Sequence, residues 1–135
     1  MREILFRGIS IKEKEWVYGY LITGVHPEEK RDVVYIVIQE NGKYIKLVEV
    51  DPKTVGQLTG VLDAYNRRIF EGDIIAFLDG MNGVDNTAVV YDGGAFCVDT
   101  QNDEVDLMPL AWTPSSFMKN IGNIHDNPEL LEGNL

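Results

Sequence analysis

The stretch Val33-Val34-Tyr35-Ile36-Val37-Ile38-Gln39-Glu40-Asn41-Gly42-Lys43-Tyr44-Ile45-Lys46-Leu47-Val48-Glu49-Val50 decides the fold class. Two runs rich in β-branched and aromatic residues flank Asn41-Gly42, a dipeptide that readily supplies the two positive-φ positions of a type I′ turn. Residues 33–40 and 43–50 therefore read as a β-hairpin. Residues 33–38 are apolar on both sides, so this strand needs cover on both faces, and a second layer of protein is the common way to get it.

Toward the N-terminus, residues 16–22 alternate, with Trp16, Tyr18, Tyr20 and Ile22 on one side at period two. Residues 3–9 give a further strand, and Gly24, His26 and Pro27 open a charged loop, Glu28-Glu29-Lys30-Arg31-Asp32. Toward the C-terminus, Pro52 ends the hairpin strand because it cannot donate to a ladder and biases Asp51 to an extended conformation. Residues 51–70, punctuated by Gly56 and Gly60, read as an irregular connector. Glu71-Gly72-Asp73 is a tight turn into Ile74-Ile75-Ala76-Phe77-Leu78, an apolar run of central-strand type. Residues 87–91 and 95–100 form a second hairpin around a three-residue connection, Asp92-Gly93-Gly94.

Helix is sparse. Thr113-Pro114 predicts one or two turns through Lys119, and Asn127-Pro128-Glu129-Leu130-Leu131 predicts a last short helix closed by Gly133. Residues 121–124 lie between them as a short strand. The expected fold is mainly β (a β-rich α+β chain): an N-terminal β-meander over 1–50, the connector 51–70, and a C-terminal small β-barrel over 71–135.

Composition narrows the function classes. The chain has 135 residues, 44% hydrophobic and 25% charged, the proportions of a globular domain. No apolar run approaches the ~20 residues of a membrane span, and the first residues lack a signal peptide's apolar region, which predicts a soluble cytoplasmic protein with no membrane partner. The net charge of -10 is uneven: residues 1–68 hold 11 Lys/Arg against 10 Asp/Glu, and residues 69–135 hold Lys119 alone against 12 acids. A phosphate backbone is repelled by the second half, which weighs against nucleic acid. A binder would have to use the first half, through Arg2, Arg7, Lys12, Lys14 and the Trp16 face. The acidic half is alternatively a decoy for a basic host protein, or simply a solvated surface.

No reacting centre is legible. Cys97 alternates with Phe96 and Val98 and reads as a small buried hydrophobe. It excludes an internal disulfide, and with His26 and His125 far apart in sequence there is no zinc signature. A Cys97–His125 nucleophile pair has no local signature and no electropositive setting. Asp79, Asn82, Asp85 and Asn86 fail the EF-hand register, and Asp103, Glu104 and Asp106 read as acidic loop. No phosphate-cradling or nucleophile-elbow motif occurs. The expectation is a non-enzymatic chain with no cofactor and no metal.

Three separated segments resemble a known family. Phe6-Arg7-Gly8 with Trp16-Val17-Tyr18-Gly19-Tyr20-Leu21-Ile22 is similar to the opening of the YopX family of phage and prophage proteins. So is the middle, residues 50–60 with Ile69-Phe70-Glu71-Gly72-Asp73-Ile74-Ile75, and so is the closing run 121–131. The resemblance spans nearly the whole chain, departing at Tyr65-Asn66-Arg67-Arg68, where the family tends to carry an Asn-Gly-type turn. It implies a phage context without an assigned activity, so no catalytic residue is carried over. The motif residues Asp51, Pro52, Gly56, Gln57, Gly60, Glu71, Gly72, Asp73, Gly122, Asn123, Asn127 and Pro128 are read as structural. Glu71-Gly72-Asp73 before an apolar strand also resembles the start of a small SH3-like barrel. The expected partner is a second copy of the chain, because the apolar strand surplus needs covering.

Overall fold

The computed structural model describes residues 2–40, 42, 44–78, 86–99 and 107–134. The chain divides into two compact units, Met1–Leu58 and Thr59–Leu135. Both are built from strands.

In the first unit, β1 (Phe6–Ile9), β2 (Trp16–Val25), β3 (Asp32–Glu40) and β4 (Tyr44–Glu49) form an antiparallel meander. They lie in the order β4-β3-β2-β1, with the start of β5 (Gly56–Leu62) beyond β1. The β3–β4 hairpin forms where expected, but its register is one residue off that of a two-residue turn: Glu40 lies opposite Tyr44 and Val37 opposite Leu47, so residues 41–43 connect the strands. Gly42 takes the positive φ expected of it (69°), while Asn41 and Lys43 lie outside the described residues. The first strand is shorter than residues 3–9, and β2 continues three residues beyond Ile22. At the β2–β3 turn, the His26 ring nitrogen Nδ1 accepts the N–H groups of Glu28 (3.3 Å) and Glu29 (3.0 Å).

The sheet packs its inner face on itself through two glycines. Ile36 and Val50 are fully buried there. A Cβ on Gly8 would meet the Val50 side chain at 3.0 Å. One on Gly19 would meet Ile36 Cγ2 at 3.0 Å and the Val37 carbonyl oxygen closer still. Val50 bridges to Ser10, and the Ile11 N–H donates to the Glu49 carbonyl (3.1 Å), so the end of β4 is tied to the end of β1.

Residues 51–70 are not an irregular connector. Pro52–Thr54 is a single 3-10 turn capped by the Asp51 side chain, and β5 and β6 (Arg68–Phe70) follow it. Gly56 and Gln57 pair with Arg7 and Phe6, and the later part of β5 pairs with β6 in the second unit. The two glycines had argued against a strand. Gly60, at φ 83°, instead lies inside β5, where a glycine marks a local bend and not the end of a strand.

The second unit adds two three-stranded sheets. β7 (Asp73–Phe77) is central, as expected, between β8 (Asn86–Ala88) and the last strand β12 (Met118–Asn123). β10 (Ala95–Asp99) lies between β9 (Val90–Asp92) and β11 (Leu107–Pro109). The chain passes from one sheet to the other at Val89, whose N–H and carbonyl bond to Asp73 and Gly72 across the corner. Its core is Ile69, Ile75, Val89, Val98, Leu110 and Met118.

Three expectations need correction here. None of the sheets closes, so the described residues show mainly β structure without the expected SH3-like barrel. The second hairpin turns on two residues, Gly93 and Gly94 at φ 60° and 84°, because Asp92 pairs directly with Ala95. The predicted helices are 3-10 turns, Ser115–Phe117 and Pro128–Asn134, with a third at Leu110–Trp112. Helix cannot run to Lys119 because Met118 already pairs with Phe77.

Candidate interaction surface

The alternation along β2 and the register of β2–β3–β4 set which side chains share a face. Tyr20 lies opposite Val37 and Ile22 opposite Tyr35, while Val37 lies opposite Leu47 and Gln39 opposite Ile45. Directly opposed residues point to the same side of a sheet, so Tyr18, Tyr20, Ile22, Tyr35, Val37, Gln39, Ile45 and Leu47 line one face. This is the face away from Ile36 and Val50. Tyr20 is 61% exposed, Ile45 73% and Leu47 57%, with Tyr18 and Ile22 each 47%. The charged members sit at its margins: Arg7 stacked on the Trp16 ring (4.6 Å) and Glu49 held by the Arg31 guanidinium (3.0 Å). Arg31 also pairs with Glu29, and both carboxylates raise the guanidinium pKa.

Arg7 is only 6% exposed. That withdraws it from the surface on which a phosphate-binding reading of the first half relied, leaving Arg2 near the N-terminus and Lys12 and Lys14 on the β1–β2 turn exposed.

The chemistry-bearing residues are distributed structurally. Cys97 is buried, with its thiol directed at the carbonyls of Asp92 and Ala95. Among the described residues, no three His, Cys, Asp or Glu side chains gather to hold a metal. Asp79, Asn82, Asp85, Asp103, Glu104 and Asp106 lie outside the described residues. No helix among the described residues is long and apolar enough to cross a membrane.

The motif residues occupy turns and ladder ends. Asp51 Oδ1 accepts the Lys53 N–H (3.0 Å), with Pro52 beginning the turn. Glu71 and Gly72 (φ 90°) turn the chain, and Asp73 Oδ2 accepts the Phe70 N–H across that turn (2.7 Å). Asn123 Oδ1 accepts the N–H groups of His125 and Asp126, and Asn127 Oδ1 accepts that of Asn123 (3.2 Å). Pro128 then starts the last 3-10 turn, which is pinned where Asn86 Nδ2 donates to the Leu130 carbonyl (2.8 Å). Gly122 is required by close approach: a Cβ there would lie 2.8 Å from Asn127 Cγ and nearer to its Oδ1. Gly122→Ala is expected to lower stability by ~1–2 kcal/mol in thermal denaturation, since Asn127 cannot swing away without releasing the Asn123 N–H.

Asp63 escaped sequence reading. It is 1% exposed, and its carboxylate accepts four donors: the N–H groups of Tyr65, Arg67 and Asn120 (each 2.9 Å) and Arg67 Nε (3.0 Å). Burial pushes its pKa up, but the backbone donors, with Asn120 the strongest, and the Arg67 side chain outweigh that and hold it below the usual carboxylate range. Asn120 reaches onward, its Nδ2 donating to Asp73 Oδ2 (2.8 Å) and to the Arg68 carbonyl (3.0 Å). The register of β12 against β7 shifts between Asn120 and Gly122, and this bulge lies beside the network.

A family model described as YopX protein matches residues 5–132. The chain belongs to the YopX family. Among solved structures, protein EF1440 from Enterococcus faecalis is 22% identical with a TM-score of 0.55, covering 97% of this chain and 99% of that one. Protein yopX from Bacillus subtilis is 16% identical with a TM-score of 0.56, covering 98% of each chain. At these identities the likeness is one of fold. No curated protein matches the chain. The buried Asp63 network and the exposed face of β2–β4 are thus features of a YopX-family fold whose activity must be argued from its own surface.

Proposed function

We propose that this YopX-family chain is a non-enzymatic interaction module that associates with itself, carried by a phage or prophage and acting in the cytoplasm of the bacterial host. The observation that supports it is the outer face of β2–β4, where Tyr20, Ile45 and Leu47 stand more than half exposed on a single surface. Apolar patches toward the top of the range found on monomers often mark contact sites. The phage setting rests on the family likeness. Light scattering on the purified chain at micromolar concentration tests the reading. A mass that is a multiple of 15.2 kDa and falls on dilution is expected, and a monomer throughout overturns it.

A further inference from the structure

Two modes of self-contact are open to the first unit: pairing of the β4 edge with the β4 edge of another copy, or stacking of the outer apolar face on the same face. The backbone distinguishes them. The Val50 N–H donates to the Val34 carbonyl (3.0 Å), so even-numbered residues along β4 turn their backbone groups toward β3 and odd-numbered ones turn theirs outward. Glu49 fits, since its carbonyl accepts the Ile11 N–H. Among the described residues of β4, those with both outward groups left for a partner are Ile45 and Leu47. An antiparallel pairing that uses both sets Ile45 of one copy opposite Leu47 of the other, which brings Lys46 opposite Lys46 at ~5 Å, a like-charge contact that opposes the pairing. A shift that places Leu47 against itself sets Ile45 against Glu49, whose carbonyl is already engaged. Lys46 thus guards the edge, a common use of lysine on edge strands.

Nothing comparable guards the face. Its five exposed side chains, Tyr18, Tyr20, Ile22, Ile45 and Leu47, present roughly 500 Å², toward the upper end of the largest patches on monomers and about three fifths of one side of a standard interface, the rest of which the flanking residues would supply. Charge selects the occupant. The unit Met1–Leu58 carries nine basic and nine acidic residues, whereas Thr59–Leu135 carries three against thirteen. Two copies of a chain of net charge -10 repel each other least where the neutral units meet. An isologous contact needs a self-complementary patch, and an uncharged face, aromatic and aliphatic apart from Gln39, meets that condition without matched charges.

We infer that a second copy of the chain stacks on the outer face of β2–β4, face to face about a two-fold axis, with Tyr20, Ile22, Ile45 and Leu47 buried between the sheets and the β4 edges unpaired. This rests on the self-association reading and names its surface and geometry. Tyr20 lies on β2, two strands in from the β4 edge, so it separates stacking from edge pairing.

The test is sedimentation velocity on the wild-type chain, Tyr20→Asp and Leu47→Asp, with melting temperatures to confirm that each variant is folded. Both positions are exposed, so both variants should keep the wild-type melting temperature at concentrations where the wild type is dissociated. Stacking predicts an assembled wild type and a dissociation constant raised ~30-fold or more by either substitution, since each residue enters the contact twice. An assembled wild type with Tyr20→Asp equally assembled overturns the stacked geometry and leaves self-association standing. Dissociation by Leu47→Asp alone points to the edge and overturns it as well. A monomeric wild type overturns both readings.

Discussion

Asp63→Ala is expected to destabilise the protein by ~3 kcal/mol, lowering its melting temperature by roughly 10 °C. The carboxylate is 1% exposed and takes four donors. Removing it leaves the N–H of Asn120 without its acceptor at the point where β12 meets the β5–β6 turn. The Tyr65 and Arg67 amides lie on an exposed turn and can recover water, which keeps the cost below that of four lost bonds. Arg67→Ala should cost less than ~1 kcal/mol, because its side chain is half exposed and the pair is screened from one side. The sign of the pH dependence follows from the lowered pKa. Asp63 contributes in full above its unfolded value of about 3.9, and the contribution is lost as pH falls through the lower folded value. Asp63→Asn should therefore be less stable than wild type at neutral pH, and the gap should narrow below about pH 4. Urea denaturation at several pH values measures both effects; a gap that is constant with pH contradicts them.

Gly19→Ala is expected to cost ~3 kcal/mol, at the upper end for overpacking, because its Cβ meets backbone. The added methyl would fall against the Val37 carbonyl oxygen and within 3.0 Å of its carbon and of Ile36 Cγ2. Only a shift of β2 against β3 relieves it, and Ile36 is the fully buried centre of the first unit. Gly24→Ala, five residues along the same strand, has open space at its Cβ and should leave stability within about 0.5 kcal/mol of wild type. Thermal denaturation of the two variants side by side isolates packing from glycine's general effects, and equal losses contradict the account.

What sequence could and could not reveal follows from the range of the interactions. The β3–β4 hairpin was legible in place, because Asn41-Gly42 marks a turn locally between two strand-forming runs, but not in register, since Glu40 pairs with Tyr44 and not with Lys43. The second hairpin was legible in place but not in length: Gly93 and Gly94 alone make the turn once Asp92 joins the ladder. Residues 51–70 looked irregular because Gly56 and Gly60 lower strand propensity, yet β5 is held by Arg7 and Phe6, some fifty positions earlier. The departure from the family at Tyr65-Asn66-Arg67-Arg68 is accommodated by Asn66, which takes φ 61° as the asparagine side chain tolerates.

The candidate surface divides in the same way. The shared side of Trp16, Tyr18, Tyr20 and Ile22 was read directly from period two. Which side faces water was not, because β3 is apolar on both sides and alternation alone cannot assign a core. The choice is made by Gly8 and Gly19, whose missing side chains let Val50 and Ile36 pack inward. Asp63 gave no signal at all. An aspartate between Leu62 and Ala64 resembles any turn residue, and its decisive donor is Asn120, 57 positions away.

Hydroxyl-radical footprinting of the wild-type chain at concentrations above and below assembly tests the central claim most directly, because it reads side-chain burial on the unmodified protein. Tyr20, Ile22, Ile45 and Leu47 should label readily when dilute and become protected together when concentrated, while Tyr65, 59% exposed in the second unit, labels equally in both. Labelling of the four at the same rate at every concentration contradicts the proposal that this face exists to make contact.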